Sequence, residues 1–312
     1  MSTVLFDAPG PRTRRRLRSI NIAGTIIVLA ALAWVVGALA GKGQLTAQKW
    51  NPFLTASPWV DYIIPGLWAT IRAAALAVVT SNVFGLLFGI GRLSGNVVIR
   101  AVSGVIVEFF RAVPVLVMMI FFYFFFSLSG FVEPTSAPYW GVVAGLTLYN
   151  GSVIAELVRS GVLNLPRGQS EAGLSIGLTE GQTLRSILLP QALVAMMPSM
   201  ISQLVVILKD TALGYLITYS ELLRMSRLVG TSFQNLVPAL IVAAVIFILI
   251  NYALTVVAEA LARRLGTRTA GAVVVLQTAD EGVTPGLDTV HTGPVDPAEH
   301  HHHPTRPRHH DR

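Results

Sequence analysis

The sequence predicts an all-α fold, a polytopic membrane helix bundle of about six spans, and three observations predict it. Of 312 residues, 53% are hydrophobic and only 12% charged, where soluble domains carry about a quarter charged, and the mean hydropathy is +0.63. Apolar runs of the length that crosses about 30 Å of hydrocarbon as a helix, roughly 20 residues, recur along the chain. Lys and Arg fall in short clusters between those runs, as the cytoplasmic loops of a membrane protein require.

In chain order the predicted spans are Ile20–Ala40, Gly66–Ile90, Ala101–Leu128, Tyr139–Val158, Leu193–Leu208 with an extension, and Val237–Leu261. The first follows a basic run, Arg12 to Arg18, and so competes with a cleaved signal peptide. Its apolar core is longer than a signal core, which favours a retained span. These limits divide the chain into a basic N-terminal segment (1–19), a first span with its outer loop (20–65), a core (66–266) holding an inner loop at 159–190, and a polar tail (267–312). With the N-terminus inside, thirteen Lys and Arg lie in inner segments against four in outer loops, so both termini are expected in the cytoplasm.

The tail exchanges apolar runs for Pro, Thr, Asp, Gly and His. It cannot bury a core and is expected to be disordered. All seven His lie in it, His300–His303 and His309–His310 among them. A His-rich tract can bind metal, but none has a partner in the spans, and no metal site is expected. With no cysteine, the chain has no disulfide, thiolate metal site or cysteine nucleophile. A net charge of +7 does not imply nucleic acid, because the spans leave no basic face to bind it.

The inner loop from Gly168 to Leu193 is too polar and too rich in glycine to span, yet carries helix punctuation throughout. It reads as two short helices with a turn. Glu171 is expected in the first turn of the first helix, where the macrodipole favours a carboxylate. Gly177 suits the position just past that helix, where φ is often positive. Thr179-Glu-Gly-Gln182 forms a capping-box pattern, and Pro190 opens or kinks a further helix.

Glu171, Ala172, Gly177, Ile187, Leu189 and Pro190 stand at the spacings of the EAA loop of bacterial ABC importer permeases, with Gly173 at the position of the second Ala. The resemblance extends to Glu108-Phe-Phe-Arg111-Ala-Val-Pro114, Ala155-Glu156-Leu-Val-Arg159, Pro166-Arg-Gly168-Gln169 and Leu208-Lys209-Asp210-Thr211-Ala212-Leu213. All are similar to segments of polar-amino-acid permeases, and together they cover roughly Gly66 to Arg264. Asp7-Ala-Pro-Gly-Pro, the additional first span and Trp50-Asn-Pro-Phe53 look like the longer glutamate permeases of actinobacteria. Ser202 stands where many members of the broad family have Asn, and Ala212 where they have Ser.

The resemblance implies the architecture of a type I, MetI-like ABC importer permease in a bacterial cell membrane. It implies four partners: a cytoplasmic ATPase subunit, a second permease subunit, identical or homologous, an extracytoplasmic amino-acid-binding protein, and membrane lipid. The first short helix of the loop would dock in a groove of the ATPase, a helix-in-groove contact, with small residues at Ala172 and Gly173 permitting close approach. The chain lacks a Gly-x-x-x-x-Gly-Lys-Ser/Thr loop and so cannot itself cradle ATP in the P-loop manner; no cofactor is expected on this chain, and ATP and Mg are expected in the partner subunit.

Ionisable groups at membrane depth mark a pathway or a pair. Glu108 and Arg111, and Glu156 and Arg159, are each three apart and can pair on one helix face, as anchors of an inner gate or as substrate contacts. Ser202, Gln203, Lys209, Asp210 and Thr211 could offer an amino acid its donors and acceptors along a polar face, or Lys209 and Asp210 could simply cap their helix. An enzyme would need a convergent catalytic constellation; the spans hold no His or Cys and no carboxylates close in sequence. A channel or secondary transporter could use the same charges but has no purpose for the loop.

Overall fold

The structure is a computed structural model that describes residues 10–280. Among these residues it is helical, with no strand. The helices are α1 (Pro11–Gly41), α2 (Ala47–Trp50), α3 (Ile64–Arg92), α4 (Val97–Ala112), α5 (Val115–Ser129), α6 (Ala137–Leu163), α7 (Arg167–Ser175), α8 (Glu180–Thr183), α9 (Leu189–Ala195), α10 (Met197–Asp210), α11 (Leu222–Ser232) and α12 (Leu236–Asp280). The chain separates into two units, 1–266 and 267–312. The expected tail starts at 267; α12 continues to Asp280, and the rest of the tail with its His tracts lies outside the described residues.

Five helical stretches are long and apolar enough to cross a membrane: Thr13–Gly41, Pro58–Arg92, Pro134–Leu163, Met197–Ile217 and Leu236–Ala260. The expected continuous span Ala101–Leu128 is corrected. It is two helices, α4 and α5, bent by 99°, and the count reaches six if the pair is one span. The cause is Pro114, which has no N–H to donate and forces its predecessor out of helical conformation; Val113 is extended, at φ −82° and ψ 127°.

At the centre stands α6, held by glycine notches. Gly145 and Gly141 seat it on the backbone of α5, where an added Cβ would lie 2.9 Å from Met119 N and 2.9 Å from Tyr123 N. On α3, Gly85 and Gly89 leave room for Ile154 and Val158 of α6, which a Cβ would meet at 2.4 and 2.8 Å. Small residues allow this approach, and without a hydrophobic drive between helices in lipid the packing itself supplies the stability. Ala69, Ala73, Ala77, Met119, Val142 and Leu146 form the core where the three helices meet. α1 stands apart, with none of its apolar window buried.

The segment between α1 and α3 is stapled to the turn between α11 and α12. Lys49 Nζ donates to Gln234 O, and Asn235 Nδ2 donates to Lys49 O at 2.8 Å. Trp59 Nε1 donates to Phe53 O at 2.9 Å, so the Trp50-Asn-Pro-Phe53 stretch is tied into the outer cap.

Candidate functional site

Three sets of candidate residues stand out: the loop over 159–190, a charge cluster at the end of the bundle next to it, and polar groups along α3, α6 and α10.

In the loop, local punctuation matches the sequence reading. Gly177 has φ +87°, just past α7, the left-handed region that costs a β-carbon strain. The capping box closes both ways: Thr179 N donates to Gln182 Oε1 at 2.8 Å, and Gln182 N donates to Thr179 Oγ1 at 3.3 Å. Pro190 opens α9, directly after a π-helical turn at Leu184–Leu188.

Two loop expectations are corrected. Glu171 is the fifth residue of α7, which begins at Arg167 and has no acidic residue in its first turn. Pro166, with φ fixed near its helical value and no N–H to satisfy, starts the helix earlier. Gly173 faces inward and is buried: a Cβ there would meet Thr183 Cγ2 at 2.7 Å and Ile187 Cδ1 at 3.0 Å. It closes the hairpin on itself. The outward face holds Glu171 and Ala172, both exposed, with Leu174 at 46% and Ile176 at 76% exposure. Sequence reasoning passed over Leu174 and Ile176, although two large apolar residues among polar ones, one in a short helix and one just past its end, are a signal for a covered surface. Leu189 and Ile187 are half-buried between the loop and the bundle.

At the end of the bundle beside that loop, the two predicted pairs are one cluster. Arg111 Nη1 lies 3.3 Å from Glu108 Oε1 and Arg159 Nη2 lies 2.6 Å from Glu156 Oε1, each three residues apart as expected. Arg92, the last residue of α3, joins them, with Nη2 3.0 Å from Glu108 Oε1 and Nη1 2.7 Å from Glu156 Oε2. Arg111 also approaches Glu156 at 3.7 Å. Three guanidinium groups on two carboxylates thus tie α3, α4 and α6 together, beside the elbow at Pro114. Beyond Arg92, the turn Leu93–Gly95 abuts Glu180, Gly181, Leu184 and Arg185 of the loop around a cavity of 120 Å³. The inner loop therefore touches the segment that carries the cluster.

The five residues expected along one face of α10 are not brought together. Gln203 turns into the bundle, and its Nε2 donates to Asn150 Oδ1 of α6 at 2.5 Å. Thr211 is buried and donates to Leu208 O at 2.7 Å. Ser202 and Lys209 line a groove of 760 Å³ between α10 and α12, and Asp210 is half-buried at the end of α10. Residues seven apart do share a side, as Ser202 and Lys209 show, but adjacent positions diverge by about 100°.

Above Asn150, Thr147 of α6 meets Thr80 of α3, Oγ1 to Oγ1 at 2.5 Å. Higher still, Arg72 of α3 donates from Nε to Tyr219 Oη at 3.2 Å, and its Cζ lies 5.0 Å from the centroid of Tyr139. Polar groups thus follow the α3–α6 seam from Arg72 to Arg92, about 30 Å apart along the helix at 1.5 Å per residue. Sequence reasoning missed Arg72, though one Arg inside an apolar run was the signal. Among the described residues no group of three metal-ligating side chains exists.

The model of a family described as "binding-protein-dependent transport system inner membrane component" matches residues 81–267. The glutamate transport system permease protein of Corynebacterium glutamicum is 45% identical over 227 residues, covering 73% of this chain and 83% of that one. A probable glutamine ABC transporter permease protein of Bacillus subtilis is 32% identical over 204 residues, 64% of this chain and 92% of that one. Among solved structures, an amino acid ABC transporter crystallised with histidines matches with a TM-score of 0.61 at 24% identity, over 68% of this chain and 98% of its own. The MetNI methionine ABC transporter in inward-facing conformations gives 0.58 at 19%, over 67% and 99%. The bundle is therefore of the MetI-like type, and its apolar helices make the chain a multi-pass membrane protein. The matched segment holds the inner loop, the charge cluster and the polar groups of α6 and α10, and the chain belongs to the family of binding-protein-dependent transport system inner membrane components.

Proposed function

We propose that the chain is the membrane-spanning subunit of an ABC importer that carries glutamate into the cytoplasm, with ATP and Mg bound by a partner ATPase. The observation that carries this reading is the hairpin of α7 and α8. It is closed by its own cap and glycine contacts, presents Leu174 and Ile176 outward, and rests on the turn that follows Arg92. Exposed apolar side chains at the end of a short helix fit a groove on a partner. Push on the hairpin and the turn moves with it, which gives the ATPase a mechanical route to the inner charge cluster. Glutamate is the substrate named for the relative at 45% identity.

Transport in this reading joins two permease subunits with an extracytoplasmic amino-acid-binding protein, both termini of this chain lying in the cytoplasm. The substrate passes from the binding protein through the permease pair toward the inner cluster. Reporter fusions after Lys42 and after Thr267 report opposite sides of the membrane, and the same side for both refutes the topology. The functional test is uptake by the complex reconstituted with its ATPase and binding protein. Glutamate enters vesicles only with ATP; uptake that persists without ATPase or nucleotide overturns the coupling and points to a secondary transporter or channel.

A further inference from the structure

Arg72 is the one guanidinium among the described residues that lies well inside a long span and away from both ends of α3. It sits eight residues past Ile64, about 12 Å along the helix. An ionised group there is costly and ordinarily finds a counter-charge. Among the described residues no carboxylate lies within ion-pairing distance of it. Glu221, which begins α11 near Tyr219, is turned away: its two oxygens accept from Leu223 N and Arg224 N at 2.7 Å each.

Two tyrosines hold Arg72 instead. Tyr219 is buried and anchored, its Oη donating to Ala69 O at 2.7 Å while accepting from Arg72 Nε at 3.2 Å. The rings of Tyr139 and Tyr219 lie 5.0 and 6.0 Å from Cζ and 5.9 Å from each other. Cation–π attraction of this kind is worth about 0.5–2 kcal/mol. It fixes where the guanidinium points but does not neutralise it. Nε has a partner, whereas the two terminal nitrogens have no protein acceptor among the described residues. That leaves a planar fork of N–H groups on a rigid support, the geometry that takes two oxygens of one oxyanion.

We propose that Arg72, seated between Tyr139 and Tyr219, is a carboxylate-binding station in the outer half of the transport path, and that the carboxylate belongs to the transported acidic amino acid. The inference rests on the glutamate-transport reading and adds the residue that holds the substrate's carboxylate. Below the station the next polar groups on the seam are Thr80 with Thr147, then Asn150 with Gln203. These pairs are neutral, the members of each already bonded to each other, which leaves Arg72 the one charged group on α3 before Arg92. A lipid phosphate has the same two-oxygen chemistry, and the vesicle composition separates the two sources.

The test uses the complete complex in vesicles, comparing wild type with Arg72→Gln and Arg72→Lys. Two readouts are taken: binding of radiolabelled glutamate to the solubilised complex without binding protein, and glutamate uptake at saturating loaded binding protein. A lost charge-assisted pair predicts that Arg72→Gln lowers both by about 10- to 150-fold, at normal membrane abundance. Arg72→Lys keeps the charge without the fork, so it recovers part of the loss, which also shows that the variant chain folds. The same deficit in pure phosphatidylcholine and in vesicles containing phosphatidylglycerol supports the substrate carboxylate. A deficit confined to the anionic vesicles assigns the site to lipid and overturns the proposal. Equal binding and uptake by Arg72→Gln and wild type overturn it as well, leaving the transport function intact. A wild-type complex that carries no amino acid refutes the transport reading itself.

Discussion

Gly173 makes the sharpest prediction, because its environment sets the cost of filling it. A Cβ at this position lies 2.7 Å from Thr183 Cγ2, 2.9 Å from Thr183 Oγ1 and 3.0 Å from Ile187 Cδ1. Ile187 Cδ1 is a flexible tip and can yield. Both Thr183 atoms branch from one Cβ in a buried residue, so neither escapes by rotation without bringing the other in. Helix α7 must therefore lift from α8 by several tenths of an ångström, an overpacking cost of about 1–3 kcal/mol. For Gly173→Ala a gain in helix propensity of about 1 kcal/mol offsets part of this. For Gly173→Arg the longer chain adds its own crowding, so the hairpin opens and the face bearing Leu174 and Ile176 loses its register. Co-purified ATPase and coupled uptake are the assays: Gly173→Arg is expected to lose at least tenfold in either at normal membrane abundance. Removing the nearest obstacle with Thr183→Ser is expected to rescue Gly173→Ala in a double-mutant cycle, with a coupling of about 1 kcal/mol, or fivefold. Wild-type coupling in Gly173→Arg would refute the inward packing and, with it, the hairpin as the coupling element.

Three further outcomes follow from the geometry. Gly177→Val places a β-branched residue at φ +87° and is expected to cost 1 kcal/mol or more, read as increased protease cleavage within 175–180; unchanged cleavage contradicts the cap. Arg92→Met removes the ion pairs that bind α3 to α4 and α6, while Glu156 keeps Arg159 and Glu108 keeps Arg111, so stability should fall by only about 1 kcal/mol. ATP consumed per solute carried is expected to rise severalfold, and an unchanged ratio argues against a gate role for the cluster. Burial, partly countered by two backbone N–H donors, pushes the Glu221 carboxyl up to about 7 from 4.5. The folded protein then holds a proton that the unfolded chain releases, so this residue's contribution is full below about pH 4.5. It falls as pH rises to about 7, by about 3 kcal/mol in all. Thermal unfolding in detergent should show stability declining from pH 5 to 7 in wild type and a flatter profile in Glu221→Gln; parallel profiles refute the assignment.

Features fixed by neighbours within four residues were legible in the sequence. Apolar runs long enough to cross a bilayer, the capping box at Thr179 and Gln182, the positive φ of Gly177, and the local pairs Glu108–Arg111 and Glu156–Arg159 all follow from helix spacing and side-chain chemistry. The elbow at Pro114 was written there too, in a residue with no N–H to give, but hydropathy averaged over it. What no local rule contains is how each helix is rotated about its axis and which level of it meets a neighbour. Glycine notches on α3 and α6 set that rotation and register. Helix packing as a whole brings Arg92 to Glu108 and Glu156, Gln203 to Asn150 across 53 residues, and Arg72 to Tyr219 across 147. Within α10 the turn of about 100° per residue separates Gln203 from Ser202, and packing against α6 decides that Gln203 is the one turned inward. A helix commits its side chains to directions by its own geometry, and only contact with another helix decides which of those directions is interior, path or lipid.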